Sequence, residues 1–461
     1  MLKKINLNFF SAMLLSALLF VACSDDSSSS GGDSNGIARY TAIIYGQNGG
    51  GMESSIEGTM RDLKLVLGDK EDVRVLLVYK YGLDNATFDG TLAYPGQLLF
   101  FEVTKDADLT KLKNKSDIVR GEVKLYDPEF LTSVIDYAHD SLPAQEYLFF
   151  LEAHGEGFAF DDDYPKSLRT ALAKQTVKAA MQDEWNMWSL HYEAMTMPEL
   201  AEGIRNSKVP HFKAILFNNC LMGNMETVED IYPYTDYVLA SEHSLLSSRG
   251  ELMTEMVESL VADKDGDFEE IAKGTLADKE VGISWKSGYI QQNFNGDFQL
   301  LKAELVPDLN PIFKKLASRL VKLYSDEKMR KAIDKAADKT YRVENEVDLY
   351  DARDYANKLA KETGDETLKK IAKELSEKID ELTLSRNLEA HYVEDAPLDH
   401  YSLSVTLVDK ETYNEKIIGI DATNRDSYEL TTFHKETGWG DWLNTNTHVP
   451  TGNPIGQELE E

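Results

Sequence analysis

The stretch Lys213-Ala-Ile-Leu-Phe-Asn-Asn-Cys-Leu-Met-Gly-Asn-Met-Glu226 governs how the rest of the chain is read. Its apolar run at 214–217 is short, and Ile215, Leu216 and Phe217 favour a buried strand. A helical pattern resumes at Met225. Between the two, the polar pair Asn218-Asn219 leaves Cys220 at the carboxyl end of the strand, where open α/β sheets present their reactive groups. A thiol in that position can lie close to a helix N-terminus, whose partial positive charge favours the thiolate. The plain alternative is a buried structural cysteine.

Outward from this stretch the same pattern repeats. Residues 39–45, 73–79, 98–103, 146–154 and 237–241 read as buried strands, and the segments from Met52, at 128–139 and at 197–206 read as helices. Such alternation predicts an α/β architecture of three layers, a mostly parallel central sheet covered by helices on both faces. The glycine-rich loop at 46–51 matches neither the GxGxxG nor the P-loop spacing, so it does not indicate a nucleotide site. Residues 159–196 are polar and poorly periodic, an expected exposed excursion. From about Leu305 to Leu384 the chain turns to charged amphipathic helices, followed by a strand at 401–407 and a last helix at 428–444. Trp439 and Trp442 in that helix are expected to be packing residues. The expected organisation is a core over 37–304 and a helix-rich extension over 305–461 that packs on it.

The first 36 residues belong to neither. Lys3 and Lys4 precede an apolar run at 9–22 that is short for a bilayer span and stops at Cys23, the pattern of a signal peptide over 1–22. Phe20-Val-Ala-Cys23 resembles a bacterial lipobox, which implies lipidation of Cys23. Ser24-Asp25-Asp26 resembles the acidic export signal of surface-displayed lipoproteins, and 23–36 reads as a flexible tether. These features predict a protein lipid-anchored to the outer membrane and exposed at the cell surface. The chain has 461 residues and two cysteines, so a lipidated Cys23 leaves Cys220 as a lone thiol. The net charge is −31, and loss of Lys3 and Lys4 with the leader would make it −33, which argues against nucleic acid as a partner.

Two strand ends then present His154 and Cys220, 66 residues apart. If the strands are neighbours, the two side chains face one groove, the arrangement that a thiol nucleophile and an imidazole need. The glycine after the histidine lets a substrate carbonyl approach the backbone, and the Gly155 and Cys220 amides can donate to the developing oxyanion.

Ala153-His154-Gly155 and Asn218-Asn219-Cys220-Leu221-Met222-Gly223-Asn224-Met225-Glu226 resemble the paired motifs of the clostripain family of cysteine peptidases. The likeness extends to Tyr237-Val-Leu-Ala-Ser-Glu242, Val347-Asp-Leu-Tyr-Asp351, Tyr401-Ser-Leu-Ser404 and Thr437-Gly-Trp439. It implies a caspase-like fold, a His154–Cys220 dyad and peptide-bond hydrolysis through a thioester, with peptides or proteins as substrates. In characterised members the residue two before the cysteine is an aspartate that helps the S1 pocket take arginine or lysine at P1. Here it is Asn218, so a basic preference would rest on a second acid, and Glu242 and Glu251 are the candidates. Some members cut themselves between histidine and cysteine, and Lys166, Arg169, Lys174 and Lys178 lie where such a cut would fall.

No cofactor is required by this reading. Calcium, which activates some relatives, has two loose candidate sites, Asp263-Lys-Asp265-Gly-Asp267 and Asp161-Asp-Asp163, both of which also read as solvated charge. The remaining histidines lack the HExxH or any comparable spacing, so no metal ligands are assigned. The alternative to an enzyme is a surface-anchored binding protein that keeps the fold without turnover. His154-Gly155 and Cys220 speak against it, and Asn218 speaks for it. A cysteine-dependent transpeptidase finds no support in the sequence.

Overall fold

A computed structural model describes residues 37–47, 53–80, 98–107, 118–119, 125, 127–153, 155, 195–243, 251–277, 283–284, 293–294, 298–343, 348–387, 403–414 and 427–454. All of them fall within one compact unit, Ile37–Glu461. The lipidation candidate Cys23, the self-cleavage candidates and Asp161–Asp163 lie outside the described residues.

Along the first half run β1 (Ala38–Gln47), α1 (Glu53–Leu67), β2 (Val73–Lys80), β3 (Leu98–Glu102) and β4 (Ile118–Val119). Then come α2 (Pro128–Ser141), β5 (Ala144–Glu152), α3 (Met197–Arg205), β6 (Phe212–Asn218), α4 (Met225–Ile231) and β7 (Thr235–Ala240). Next are α5 (Glu251–Ala262), α6 (Phe268–Ala277), the strand pair β8 (Ile283–Ser284) and β9 (Asn293–Phe294), and β10 (Phe298–Lys302). The remainder holds α7 (Asn310–Leu323), α8 (Glu327–Lys339), β11 (Tyr341–Arg342), β12 (Leu349–Asp351), α9 (Ala352–Thr363), α10 (Glu366–Leu382), β13 (Thr383–Asn387), β14 (Ser404–Thr406) and β15 (Asn453–Pro454).

The main sheet has the order β13-β10-β7-β6-β5-β1-β2-β3-β4. Its five central strands, β7 through β2, are parallel, and the strands added at either side are antiparallel. Helices lie on both faces, the three-layer arrangement that the alternation of segments predicts. Because both faces are covered, the central strands are apolar almost throughout, and successive residues enter two different cores. On β6, Phe212, Ile215 and Phe217 join a core with α2, α3, α4 and the helices of the C-terminal part. Ala214 and Leu216 join the other, with α1, α5 and α6. On β7, Val238 and Ala240 point to the first core and Leu239 to the second.

The C-terminal part departs from the expected run of helices in two ways. A small sheet, β14-β12-β11-β15, interleaves with α8 and α9; its strands are only two or three residues long, too short to show a period in the sequence. The helix expected over 428–444 is three short ones, Ser427–Leu430, Thr432–Thr437 and Trp439–Leu443. Thr431 caps the second with its side chain, and Gly438, at φ 70°, ends it in the left-handed conformation. The breaks let both tryptophans turn inward: Trp439 and Trp442 are buried, and the Trp439 indole donates to the Thr406 carbonyl at 2.8 Å.

Candidate active site

The parallel register of β5 and β6 sets Glu152 beside Asn218. Just past the strands the two chain segments stay in contact, and the Asn219 side-chain amide donates to the Ala153 carbonyl at 2.9 Å. Gly155 is packed against the nucleophile loop. A Cβ on it would lie 2.2 Å from the Cys220 carbonyl oxygen, 2.8 Å from Asn219 Cβ and 3.0 Å from the Cys220 nitrogen. Only a residue without a side chain allows this approach, so the sequence pair Gly155 and Cys220 is brought together backbone to backbone. His154 lies outside the described residues. Cys220 is half-buried and in no disulfide among the described residues, packed against the second core and against the small cluster of Leu221, Val343 and Leu349.

The loop after Cys220 is held from three directions. Leu221 has φ 64°, the one positive value at a non-glycine among the described residues. Such a conformation costs about 1–3 kcal/mol and persists where surroundings impose it. Here the Leu221 amide donates to the His243 carbonyl at 3.0 Å, and its own carbonyl accepts from the Asn224 side chain at 2.8 Å. Gly223 lies so close to the chain after β7 that a Cβ would meet the Glu242 nitrogen at 2.7 Å. Asn224 caps α4 by accepting from the Thr227 amide at 2.8 Å. The third hold comes from the C-terminal part. Ser404 donates its amide to the Gly223 carbonyl at 3.1 Å. Glu226, fully buried on α4, accepts from the Thr406 amide at 3.0 Å and from the Tyr428 hydroxyl at 3.1 Å. Burial pushes the Glu226 carboxyl up, and these hydrogen bonds pull it back down.

A profile of the clostripain family matches residues 97–443. The chain belongs to the clostripain family. As a member it is a cysteine endopeptidase, which acts on peptides or proteins. Three solved structures share the fold. A secreted C11 cysteine protease from Bacteroides thetaiotaomicron, "iotapain", is 16% identical, with TM-score 0.55, over 87% of this chain and 99% of that one. An inactive zymogen C11 protease from Parabacteroides distasonis is 16% identical, with TM-score 0.51, over 87% and 98%. A secreted C11 cysteine protease from Bacteroides thetaiotaomicron in complex with an irreversible peptide inhibitor is 12% identical, with TM-score 0.51, over 87% and 99%. No curated protein sequence matches the chain.

The clostripain-family site draws on the other sequence candidates unequally. Asn218 is buried, and its side-chain nitrogen has no hydrogen-bond partner among the described residues. Glu242 is fully buried, and its charge acts on Arg386, which also lies within reach of Arg353, Asp380 and Asp351. Glu251 opens α5, and its side chain lies outside the described residues. Sequence reading missed the clamp residues Ser404, Thr406 and Tyr428, which sit far along the chain with nothing in their spacing to link them to Glu226. The loop at Asp263–Asp267 is engaged with its neighbours in the fold. The Asp263 and Lys264 carbonyls accept from Arg39, and the Asp267 carboxylate accepts from the Glu269 amide. No group of three or more His, Cys, Asp or Glu suited to a metal occurs among the described residues, and none of the described helices is long and apolar enough to cross a membrane.

Proposed function

We propose that the chain hydrolyses peptide bonds through a thioester on Cys220, with His154 as the acid and base. The Cys220 sulfur attacks the scissile carbonyl carbon, and the thiol proton passes to His154. The tetrahedral oxyanion accepts hydrogen bonds from the Gly155 and Cys220 amides. Collapse of that intermediate breaks the peptide C–N bond as His154 protonates the leaving amine, and water then hydrolyses the thioester. The observation that carries this reading is the contact of Gly155 with the Cys220 backbone, which supports an oxyanion role for these two residues beside one thiol.

The test is intact-mass analysis of the full chain, purified in detergent, after incubation with peptide acyloxymethyl ketones, beside Cys220→Ala and His154→Ala. One covalent adduct is expected, absent from Cys220→Ala and slowed at least about 100-fold in His154→Ala. A folded sample that forms no adduct with any peptide sequence would instead fit a binding protein that keeps the fold. Anchoring through a lipid on Cys23 follows the lipobox-like Phe20-Val-Ala-Cys23. Metabolic labelling with a palmitate analogue should mark the wild type and leave Cys23→Ser unlabelled.

A further inference from the structure

The peptide plane that joins Cys220 to Leu221 is gripped at both ends. Its oxygen lies against Gly155, and its amide donates to the His243 carbonyl at 3.0 Å. Leu221 follows at φ 64°, a conformation in which its Cβ crowds its own backbone. Glycine would adopt it without that cost. The leucine side chain has a use there that glycine could not serve. It is buried in a small cluster with Val343 and Leu349, and Cys220 itself packs on that cluster.

Val343 and Leu349 belong to the β11–β12 hairpin of the small C-terminal sheet, where the Val343 amide donates to the Leu349 carbonyl at 3.0 Å. Two residues before Val343, the Tyr341 hydroxyl and His243 Nε2 share a hydrogen bond of 2.7 Å, and the two rings lie 5.8 Å apart. His243 therefore takes the Leu221 amide on its backbone and reaches β11 with its ring, while Val343 packs on the Leu221 side chain. One short strand holds both the backbone and the side chain of the strained residue. That strand is itself fixed from behind. The Tyr341 amide donates to the Asp354 carboxylate at 2.8 Å, the Asp354 amide donates to Asp351 at 2.7 Å, and β15 pairs with the other edge of β11.

We infer that Leu221, Val343 and Tyr341 are positioning residues for the Cys220 nucleophile: the β11–β12 hairpin locks Leu221 in the left-handed conformation and so aims the thiol. The inference rests on the reading of Cys220 as the nucleophile. All three residues are buried, and they act through Cys220 rather than on the substrate. Released from the hairpin, Leu221 relaxes to a negative φ, and the peptide plane it shares with Cys220 turns away from Gly155. Misplacement of a reacting group by about 1 Å costs on the order of 100-fold in rate. Partial slackening of the loop therefore shows in the rate of thiol attack and not in the affinity for a peptide.

The test measures the maximal rate of Cys220 alkylation by a peptide acyloxymethyl ketone, and the reagent concentration giving half that rate, in folded full-length protein. The variants are Leu221→Gly, Leu221→Ala, Val343→Ala, Tyr341→Phe and the double variant Leu221→Gly with Val343→Ala. Both changes at 221 remove the hairpin's grip, but only glycine takes φ 64° freely. Leu221→Ala should thus be slower than Leu221→Gly by about fivefold, the reverse of the order that loss of packing alone would give. Val343→Ala should slow the wild type about tenfold. In the Leu221→Gly background its partner is gone, and the same change should cost less than about twofold. Tyr341→Phe keeps the ring and loses one hydrogen bond, for about a threefold loss. Half-saturation should stay constant throughout. Alanine as fast as glycine at 221, equal losses from Val343→Ala in both backgrounds, or effects confined to half-saturation would overturn the inference, while a wild-type Cys220 adduct would keep the peptidase reading. No adduct in the wild type would remove both.

Discussion

The two faces of the sheet near Cys220 treat buried acids in opposite ways. On the face of the first core, Glu226, Glu229, Asp230 and Glu242 are all buried, and each meets groups from the second half of the chain. Glu226 takes Thr406 and Tyr428, Glu229 takes the Asn310 side chain, Asp230 takes the Thr432 amide and hydroxyl, and Glu242 feels Arg386. On the thiol's face, Glu152 stands at the end of β5 beside Asn218 at the end of β6. The difference is one of chain distance: the acids of the first core tie the reactive edge to segments far along the chain, whereas Glu152 and Asn218 are set side by side by the strand register itself.

Two glycines test how far the reactive edge depends on backbone contact. Gly155→Ala would drive its Cβ into the Cys220 carbonyl, and neither backbone can yield without moving the thiol. The expected loss is at least about 100-fold in kcat/KM, because misplacement by about 1 Å costs that much. Gly203→Ala also makes a close contact, 2.6 Å, but with the Leu131 side chain between α2 and α3. It should lower stability by about 1–3 kcal/mol and leave kcat/KM of the folded fraction unchanged. Equal activity losses in the two variants would mean that Gly155 matters only as a packing residue. Next in size is Glu226→Ala, which strands the Thr406 amide and the Tyr428 hydroxyl in a buried site. It should destabilise the chain by about 3 kcal/mol in denaturant titration, whereas Glu226→Gln, which keeps an acceptor for both, should cost less than about 1 kcal/mol. Similar costs for both would show that the carboxylate charge, not the acceptor, holds the C-terminal part to α4.

Much of the reactive edge was legible in the sequence because it depends on short spans. The apolar run before Asn218-Asn219-Cys220 announced β6 and the matching run before His154 announced β5, while their being neighbours is a finding of the structure. Glu152 was equally visible, an acid at the end of an apolar strand two residues before the histidine. Its place beside Asn218 needed the register, which pairs residues 66 apart. The clamp on Glu226 was not legible at all. All seven residues of α4 are buried, so the helix has no polar face to give it a period, and the donors lie about 180 and 202 residues away. The broken C-terminal helices hid for a related reason: Thr431 and Gly438 are weak stop signals when aromatic residues at helical spacing surround them.

The smallest effect expected from the comparison is a pH dependence seated on the structural face. Burial pushes Glu229 from 4.5 up to about 8, with the Asp230 and Glu436 charges adding to the rise and the Asn310 hydrogen bond opposing it. Burial likewise pushes Asp230 from 3.8 up to about 6 against the hydrogen bonds from Thr432. Both carboxyls are thus harder to ionise in the folded chain than in the unfolded one. Their contribution to stability is fully present below the unfolded values and is lost as pH rises, through about 6 for Asp230 and through about 8 for Glu229. Denaturant titrations from pH 5 to 9 should show stability declining until about pH 8 and levelling beyond it. Glu229→Gln cannot ionise and keeps an oxygen for Asn310, so its decline should end near pH 6, and at pH 8 it should be more stable than the wild type by about 2 kcal/mol. If instead the variant follows the wild-type curve up to pH 8, Glu229 is ionised in the fold and the structural face holds its acids as charges.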